Sequence, residues 1–425
     1  MLPLLFLVTA SAHVPEVFIT NADEDWCAVI ESVAGGDYVM LEPGDYTGPC
    51  EIVSKVSDPP GEVTIVQSLD PGQPARMVHD GSSPFILSLA GDVGLLLNLD
   101  FGEVPEGVVA VELRRGNNLG VRSGIFAGPG TAVKQVADIG IVGLRDCLYE
   151  GATGVALDVG CGGDCAADFV EISNNLVDGG ASRFVVQAGE LELVDNTALG
   201  VEGTPFLLDV RSGVVAGNTL GADVPLDVTG DVLVHSNVLL GEVAAHEASV
   251  VGNTVVGGIA GRPGEVAHNA VVGDAGPADV SCDASCFVDL EGLDFYPDAA
   301  GPLVGGDGPA VETDWCDRDR AGAATVGAHA YVGEGGSPGP VEVDFKSSVD
   351  CRLPAEPEPL DTGGEDSGTG GPSGPDGDGS DSGQTGDTRD DEAGGCGCGT
   401  GYTGLHGWVV LLAVGGAFSR RRPVR

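Results

Sequence analysis

The chain has 425 residues, of which 70 are glycine and 19 are Lys or Arg, and only 5% are aromatic. Many short β-branched strands joined by tight turns are typical of such a composition. The formal net charge of −46 excludes nucleic acid as an expected partner, because binding that polyanion requires clustered cations. Cations, cationic surfaces and neutral glycans stay open as partners, and solubility of a secreted protein is the simpler role of the charge.

The N-terminus, MLPLLFLVTASAH, has the features of a signal peptide. An apolar run from Leu2 to Val8 precedes Ala10-Ser11-Ala12, a small-x-small pattern that signal peptidase cleaves. We therefore expect residues 1–12 to be removed on export, so that mature protein begins at His13.

The stretch NADEDWCAVIESV, residues 21–33, predicts a short helix. Asn and Asp at its start are capping candidates, and apolar residues recur at helical spacing at Trp26, Val29, Ile30 and Val33. We expect this helix, at about residues 21–34, to cap the core that follows it.

A short motif then recurs along the chain: a small or polar residue, two largely apolar positions and Gly, as in NTVVG and NAVVG. Its first residues are, in order, Asn98, Gly124, Asp146, Asn174, Asn196, Asn218, Asn237, Asn253 and Asn269. The spacings are 26, 22, 28, 22, 22, 19, 16 and 16 residues. A repeat of variable length that returns to the same short strand and turn is typical of a parallel β-helix, since outer loops absorb the insertions.

The residues of the motif have distinct expected roles. Val, Leu and Ile of successive coils would form buried rows, each side chain stabilising the stack by roughly 1.5–3 kcal/mol. Asn tolerates left-handed turns, and its amide can bond its copies above and below for about 0.5–1.5 kcal/mol. We predict a ladder that fixes the register between coils, formed by Asn98, Asn174, Asn196, Asn218, Asn237, Asn253 and Asn269. Cys147 is placed in the column of Thr197, Thr219 and Thr254, as a small buried thiol.

The stretch GGDYVMLEPGDYTGPC, residues 35–50, resembles the start of right-handed parallel β-helix proteins of the pectate-lyase-like superfamily. The matching positions are Gly36, Asp37, Val39, Leu41, Pro43, Gly44 and Tyr46. Residues 286–308 and 314–331, with Arg320 and Val326-Gly327-Ala328, are similar to closing segments of that family. The resemblance implies an all-β fold, a right-handed parallel β-helix solenoid over residues 13–352 with coils at about 36–332. Such a fold does not specify a function.

Eleven cysteines in an exported chain favour disulfides over metal sites. The expected pairs are Cys27 with Cys50, Cys161 with Cys165, Cys282 with Cys286, and Cys316 with Cys351. The first pair would tie the cap to the first coil, and the second would close a loop in the longest interval. Zinc at the two C-x3-C pairs is the alternative, disfavoured because finger-like ligands are missing nearby.

Residues 353–395 predict a disordered acidic linker of Gly, Ser and Asp. Residues 354–395 contain 12 acids, Arg389 and almost no apolar side chain, so they cannot form a core. Residues 396–425 follow, with Cys396 and Cys398, an apolar run from about Leu405 to Phe418, and a basic end of Arg420, Arg421 and Arg422. The run predicts a short hydrophobic helix, which is short for spanning a bilayer, and the arginines would stay cytoplasmic.

In order and position, this last segment resembles the MYXO-CTERM sorting signal of exported myxobacterial proteins. The resemblance implies that a processing protease removes the tail and that the protein stays attached at the cell surface or outer membrane through Cys396 or Cys398. The expected partners are therefore that protease and the cell envelope membrane, with glycan or matrix as an open option.

Many proteins of the resembled superfamily cleave polysaccharides, so catalysis is one of two hypotheses. Lyases combine calcium-binding carboxylates with a basic residue, and hydrolases need carboxylates across the scissile bond. Such constellations are not recognisable in the repeats, and Arg122, Arg145 and Arg211 are interpreted as solvated charges near turns. A non-catalytic binding, adhesion or envelope-structural role is the leading hypothesis, and a divergent lyase or hydrolase is the alternative.

No catalytic, cofactor-binding or metal residue is assigned from the sequence. Calcium stays an open option at three acidic stretches, residues 21–25, 317–320 and 376–381. Self-paired or solvated charges are the simpler interpretation of all three.

Overall fold

In a computed structural model, the chain winds into a parallel β-helix, which confirms the predicted fold class. The structure describes residues 16–33, 36–54, 64–152, 154–180, 183–199, 206–273, 275–305, 311–318, 320, 325–333 and 337–349, all of which belong to one compact unit, Met1–Pro354. The predicted signal peptide, Cys351, the linker and the C-terminal segment lie outside these ranges. No helix within them is long and apolar enough to cross a membrane.

Helix α1 (Trp26–Ser32) follows the first strand, and a 3-10 turn (Cys161–Gly163) follows β14. The strands up to that turn are β1 (Val17–Thr20), β2 (Tyr38–Leu41), β3 (Asp45–Thr47), β4 (Cys50–Ser54), β5 (Thr64–Ser68), β6 (Ala75–Val78), β7 (Phe85–Leu97), β8 (Leu99–Glu103), β9 (Val109–Arg122), β10 (Ile125–Ala127), β11 (Thr131–Gln135), β12 (Ile139–Arg145), β13 (Leu148–Glu150) and β14 (Val155–Val159).

Two further 3-10 turns lie near the end of the described chain, at Ala284–Cys286 and Lys346–Ser348. The later strands are β15 (Ala167–Ser173), β16 (Leu176–Asp178), β17 (Arg183–Val194), β18 (Thr197–Leu199), β19 (Phe206–Ala216), β20 (Thr219–Leu220), β21 (Leu226–His235), β22 (Val238–Leu239), β23 (Val243–His246), β24 (Ser249–Val251), β25 (Thr254–Val255), β26 (Ile259–Arg262), β27 (Glu265–Ala267), β28 (Ala270–Val272), β29 (Val280–Cys282), β30 (Phe287–Asp289) and β31 (Asp294–Pro297).

Each coil contributes strands to three faces of the β-helix. In one coil, β11 lies on face 1, β12 on face 2 and β13 on face 3. Long strands such as β9 and β17 bend and serve both face 1 and face 2. Faces 1 and 2 together form a sheet of 17 strands in the described part of the chain, and face 3 forms one of 12. Neighbouring coils pair in parallel on every face, for example β11 with β14, β12 with β15 and β13 with β16.

The interior is filled by apolar rows that run from coil to coil. The face 1 row, fully buried, is Leu87, Val111, Val133, Leu157, Phe184, Phe206, Leu226 and Val243. The matching face 2 row is Leu96, Val121, Leu144, Ile172, Leu193, Val215, Val234 and Val250. Burial of these side chains, at roughly 1.5–3 kcal/mol each, is the main stabilising term of the stack.

The N-terminal end of the core is covered by α1. The Asp25 side chain accepts a hydrogen bond from the Ala28 amide at 3.2 Å and caps the helix. Trp26 and Ile30 are buried, and the Trp26 ring packs edge-on against Tyr46 with centroids 5.6 Å apart. A Cys27–Cys50 disulfide joins α1 to β4.

A continuous ladder of buried Asn side chains occupies the corner between faces 2 and 3. Its members are Asn175, Asn196, Asn218, Asn237, Asn253 and Asn269, none more than 3% exposed. Each Oδ1 accepts hydrogen bonds from the amide of the preceding ladder residue, as when Asn237 accepts from Asn218 N at 2.8 Å and Nδ2 at 2.9 Å. The chain of bonds ends at Asp279, whose Oδ1 accepts from both nitrogens of Asn269 at 3.0 Å.

The structure corrects two members of the predicted ladder. Asn98 and Asn174 lie one position before the inward-pointing column, with positive φ angles of 52° and 50°. The same left-handed turn position is occupied in later coils by Asp195, Ser236 and His268. In coils that carry two small polar residues in a row, the first therefore makes the turn and the second enters the core.

Cys147 also belongs to the ladder column rather than to the column of threonines. It is a fully buried free thiol, and its amide donates to Asn175 Oδ1 at 2.9 Å. Its Sγ donates to the carbonyl of Arg145 at 3.4 Å, where a ladder Asn would place its Nδ2. Burial raises the pKa of this thiol to about 12, which fits a structural rather than a reactive cysteine.

The closing segment of the fold, here called the strap, comprises the described residues 311–318, 320, 325–333 and 337–349. Coil strands end at β29, whereas the sequence predicted coils to about residue 332. The strap instead lies along the outside of earlier coils: Trp315 Nε1 donates to Thr219 Oγ1 at 3.1 Å, and the Ala328 amide to Thr254 Oγ1 at 3.2 Å. Further contacts are Ser236 Oγ to the Thr313 carbonyl, and the Gly327 amide to the His268 carbonyl.

The remaining predicted disulfides fall in loops and in the strap. Cys161–Cys165 and Cys282–Cys286 are bonded, with Cα atoms 5.2 and 5.6 Å apart. Cys316 is also disulfide-bonded, and its predicted partner Cys351 lies outside the described residues.

Replacing one central ladder residue tests how much the stack depends on these hydrogen bonds. We expect Asn237→Ala to lower the free energy of unfolding by about 3 kcal/mol, because it leaves the amide and Nδ2 of Asn218 without their acceptor inside the core. Urea unfolding followed by circular dichroism measures the change. The control is Asn98→Gly, which keeps the left-handed turn and removes an Nδ2 without a partner; an equal loss in both variants would contradict the role of the ladder.

Candidate functional site

A loop closed by the Cys161–Cys165 bond, residues 160–166, projects where face 1 turns into face 2. It is inserted between β14 and β15, in the coil that the sequence marks by its 28-residue interval. Gly160, Gly162 and Gly163 have positive φ angles of 103°, 67° and 100°, so the tight path requires residues without a Cβ. This segment is named the stapled loop.

The preceding coil fixes both ends of the stapled loop. Gln135 is fully buried, and its Nε2 donates to the carbonyls of Ala137 and Ala166 at 2.7 and 2.8 Å. Its Oε1 accepts from the Gly160 amide at 2.9 Å, and Asp138 Oδ1 accepts from the Ala166 amide at 2.9 Å. Together with the disulfide, these bonds hold the loop in one conformation.

A first cleft of about 580 Å³ lies on one side of the stapled loop. It is lined by Lys134, Gln135, Val136, Ala137, Asp138, Asp158, Cys161, Asp164 and Cys165. Lys134 Nζ lies 3.8 Å from Asp158 Oδ2, and both side chains stay partly exposed. Three carboxylates against one ammonium leave this cleft with a net charge of −2.

A second cleft of about 510 Å³ lies on the other side of the loop. Its lining residues are Gly163, Cys165, Ala166, Ala167, Asp168, Gln187, Ala188, Gly189, Glu190, Asp209, Arg211 and Ser212. Three carboxylates and one guanidinium again give a net charge of −2. Gln187 Oε1 is a buried acceptor without a hydrogen-bond partner.

A pair of glutamates lies further along face 2, outside both clefts. Glu171 on β15 and Glu192 on β17 are direct partners in the parallel register, on strands about 4.8 Å apart. Ser173 Oγ donates a hydrogen bond to Glu171 Oε1 at 2.9 Å. Partial burial, and next the negative charges of Glu171 and Asp195, raise the pKa of Glu192. Two neighbouring carboxyls are thus placed in different environments.

Two of the three arginines interpreted as solvated charges take part in an ion-pair cluster beside these glutamates. Arg122 and Arg145 are register partners on β9 and β12, and their Nε atoms lie 2.9 and 3.6 Å from Asp146 Oδ2. Asn174 Nδ2 donates to the other oxygen of that carboxylate at 2.7 Å. The third arginine, Arg211, lines the second cleft instead.

The glutamate pair was missed at the sequence level, although a signal was present. Glu171 and Glu192 are 21 residues apart, which is also the distance between the ladder residues Asn175 and Asn196. When the repeat is aligned on Asn174 instead of Asn175, the interval to Asn196 is 22 residues rather than 21. Glu171 and Glu192 then fall at different positions of the repeat.

The acidic stretches considered for calcium are occupied by internal contacts where the structure describes them. Asn21 Oδ1 accepts from the Asp23 amide, and Asp25 caps α1. Within residues 317–320, Arg318 pairs with Asp314, and Arg320 donates to carbonyls of the strap. No group of three His, Cys, Asp or Glu residues suited to a metal ion is found among the described residues.

No protein-family model matches the chain, and no curated protein matches it. Among solved structures, an alginate lyase from Paenibacillus sp. str. FPU-7 aligns with a TM-score of 0.35 and 12% identity, over 59% of this chain and 99% of its own. The pectate lyase Pel9A aligns with a TM-score of 0.39 and 11% identity, over 76% of this chain and 98% of its own. Both similarities are weak.

Proposed function

We propose that the chain is an exported, cell-surface-attached β-helix protein with a non-catalytic binding role, in adhesion or in the structure of the envelope. The observation that carries this proposal is the pair of clefts on either side of the stapled loop. The two clefts are lined by residues of successive coils, so a linear ligand that runs along the solenoid axis contacts both.

The charges of the clefts indicate the class of ligand. Each cleft combines three carboxylates with one cation, which disfavours a polyanion such as a polyuronate. Carboxylates and amide oxygens accept hydrogen bonds from sugar hydroxyls and ammonium groups. We therefore infer a neutral glycan or a glycan with free amino groups.

The stapled loop gives this surface the rigidity that binding requires. Its conformation is held before any ligand arrives, by the disulfide and by the bonds from Gln135 and Asp138. Less ordering entropy is then lost on binding. The same rigidity separates the clefts, so that each can hold a different unit of the ligand.

Binding can be measured by calorimetric titration with chitosan oligosaccharides, neutral glucan oligosaccharides and polygalacturonate. We expect the first or second class to bind, and Asp168→Asn with Asp209→Asn to weaken binding by about tenfold per lost charge-assisted bond. The control is Asp227→Asn, an acid of face 1 outside both clefts. Preferred binding of polygalacturonate, or equal loss in variant and control, would refute the assignment.

Attachment through Cys396 or Cys398 is the second part of the proposal. Peptide mapping of protein released from intact cells checks it. We expect peptides up to one of these cysteines and none containing Arg420, Arg421 or Arg422. Surface material that retains Arg422 would replace processing by simple membrane anchoring.

Polysaccharide cleavage is a second candidate function, because of the Glu171–Glu192 pair. In glycosidases, a carboxyl with raised pKa beside a second carboxylate supplies the general acid and its partner. Arg145 lies near Glu192. The test is an assay for new reducing ends or unsaturated products, on neutral and acidic polysaccharides with and without calcium. Turnover that is lost in Glu192→Gln but kept in Glu265→Gln, an exposed acid of β27 outside both clefts, would overturn the non-catalytic proposal.

A further inference from the structure

His329 is buried in the strap without a polar partner. It is 2% exposed, and neither Nδ1 nor Nε2 makes a hydrogen bond. Its ring lies against Trp315 and Tyr296, with centroids 5.1 and 6.4 Å away. A buried imidazole normally finds at least one partner, so this site is suited to the neutral ring alone.

Three cations and one carboxylate of the strap face this imidazole. Arg318 Nη2 lies 2.7 Å from Asp314 Oδ2, and Arg320 Nη2 donates to the Gly327 carbonyl at 2.6 Å. Lys346 Nζ lies 5.1 Å from the centre of the Trp315 ring and pairs with Asp195 of the coils and, at 3.9 Å, with Asp317 of the strap. A protonated His329 would be a fourth positive charge in this apolar pocket.

The one carboxylate that acts on the ring, Asp314, already has partners. Asp314 is fully buried and already accepts from Arg318 and from the amides of Cys316 and Ala330. Two further histidines reach the strap from the coils. His235 lies near Arg320, and burial and that guanidinium lower its pKa; His268 supplies the carbonyl that binds the Gly327 amide.

We propose that His329 is a proton-operated latch, which holds the strap closed on the coils while the imidazole is neutral and releases it on acidification. The strap is suited to local opening, because among the described residues no sheet joins it to the coils. It is held there by single hydrogen bonds, by the Lys346–Asp195 ion pair and by an apolar cluster that includes Trp315 and Ala328. Opening uncovers an outward row on face 3 formed by Thr219, Val238, Thr254 and Ala270.

The direction of the pH dependence follows from linkage. Burial, the largest cause, and the three cations lower the pKa of His329 to about 3, below the ordinary value of about 6.5 that an exposed ring recovers. The open strap therefore binds the proton more tightly than the closed strap. The equilibrium constant for closure is largest above about pH 6.5. It falls about tenfold per pH unit as the pH decreases from there towards about 3.

Hydrogen exchange on the full chain measures this opening. Between pH 7.5 and pH 4.5 we expect the protection of strap peptides, corrected for intrinsic exchange, to fall by about 90-fold relative to coil peptides within residues 109–145, which lie away from the strap. In His329→Phe, which keeps an aromatic ring and removes the proton site, the loss of protection should be absent. The control variant is His246→Gln, an exposed histidine of β23, which should behave like wild type.

Three further results decide the proposal. Equal loss of protection in wild type and His329→Phe, or no loss in wild type, overturns it. His235→Gln shows whether the second histidine carries the effect instead, in which case the latch is not His329. Should His329→Phe fail to fold, an NMR titration of the wild-type imidazoles decides alone: a His329 ring that becomes protonated near pH 6.5 while the strap stays protected refutes the latch.

Discussion

The Asn ladder is the constraint on which the arrangement of the outer surface depends. Each side chain must accept from the coil before it and donate to the coil after it, so a coil displaced by one residue would leave buried amides without partners. All amides point the same way, with their N–H ends towards the C-terminus. The positive end of this row meets the carboxylate of Asp279, which satisfies the last two donors and complements the summed dipoles.

With the register fixed at one corner, length variation has to occur elsewhere. The short coils that end at Asn253 and Asn269 carry little beyond their strands, whereas the longest coil places its extra residues in the stapled loop, away from the ladder. The loop is held by Gln135, a side chain of the coil before it that points into the core. Regular stacking on one side thus makes a rigid irregular feature possible on the other.

The period, the apolar rows and most of the ladder could be predicted from the sequence, because each depends on residues within one coil and its neighbour. The errors have physical causes. Asn174 and Asn175 are both suited to a turn, and only the left-handed φ of the first decides which one enters the core. That shift of one residue concealed the alignment of Glu171 with Glu192. The strap could not be predicted either, since its contacts join residues 313–328 to residues 219–268.

The distribution of cations connects the outer clefts with the strap. Lys and Arg number 19 against 65 acids, and several of those described are used internally: Arg122 and Arg145 share Asp146, and Arg318, Arg320 and Lys346 meet inside the strap. The clefts therefore keep a net negative charge, which repels anions. The strap, by contrast, concentrates positive charge around a neutral His329. A strongly acidic protein thus has, beneath its strap, a pocket in which an added proton is unfavourable.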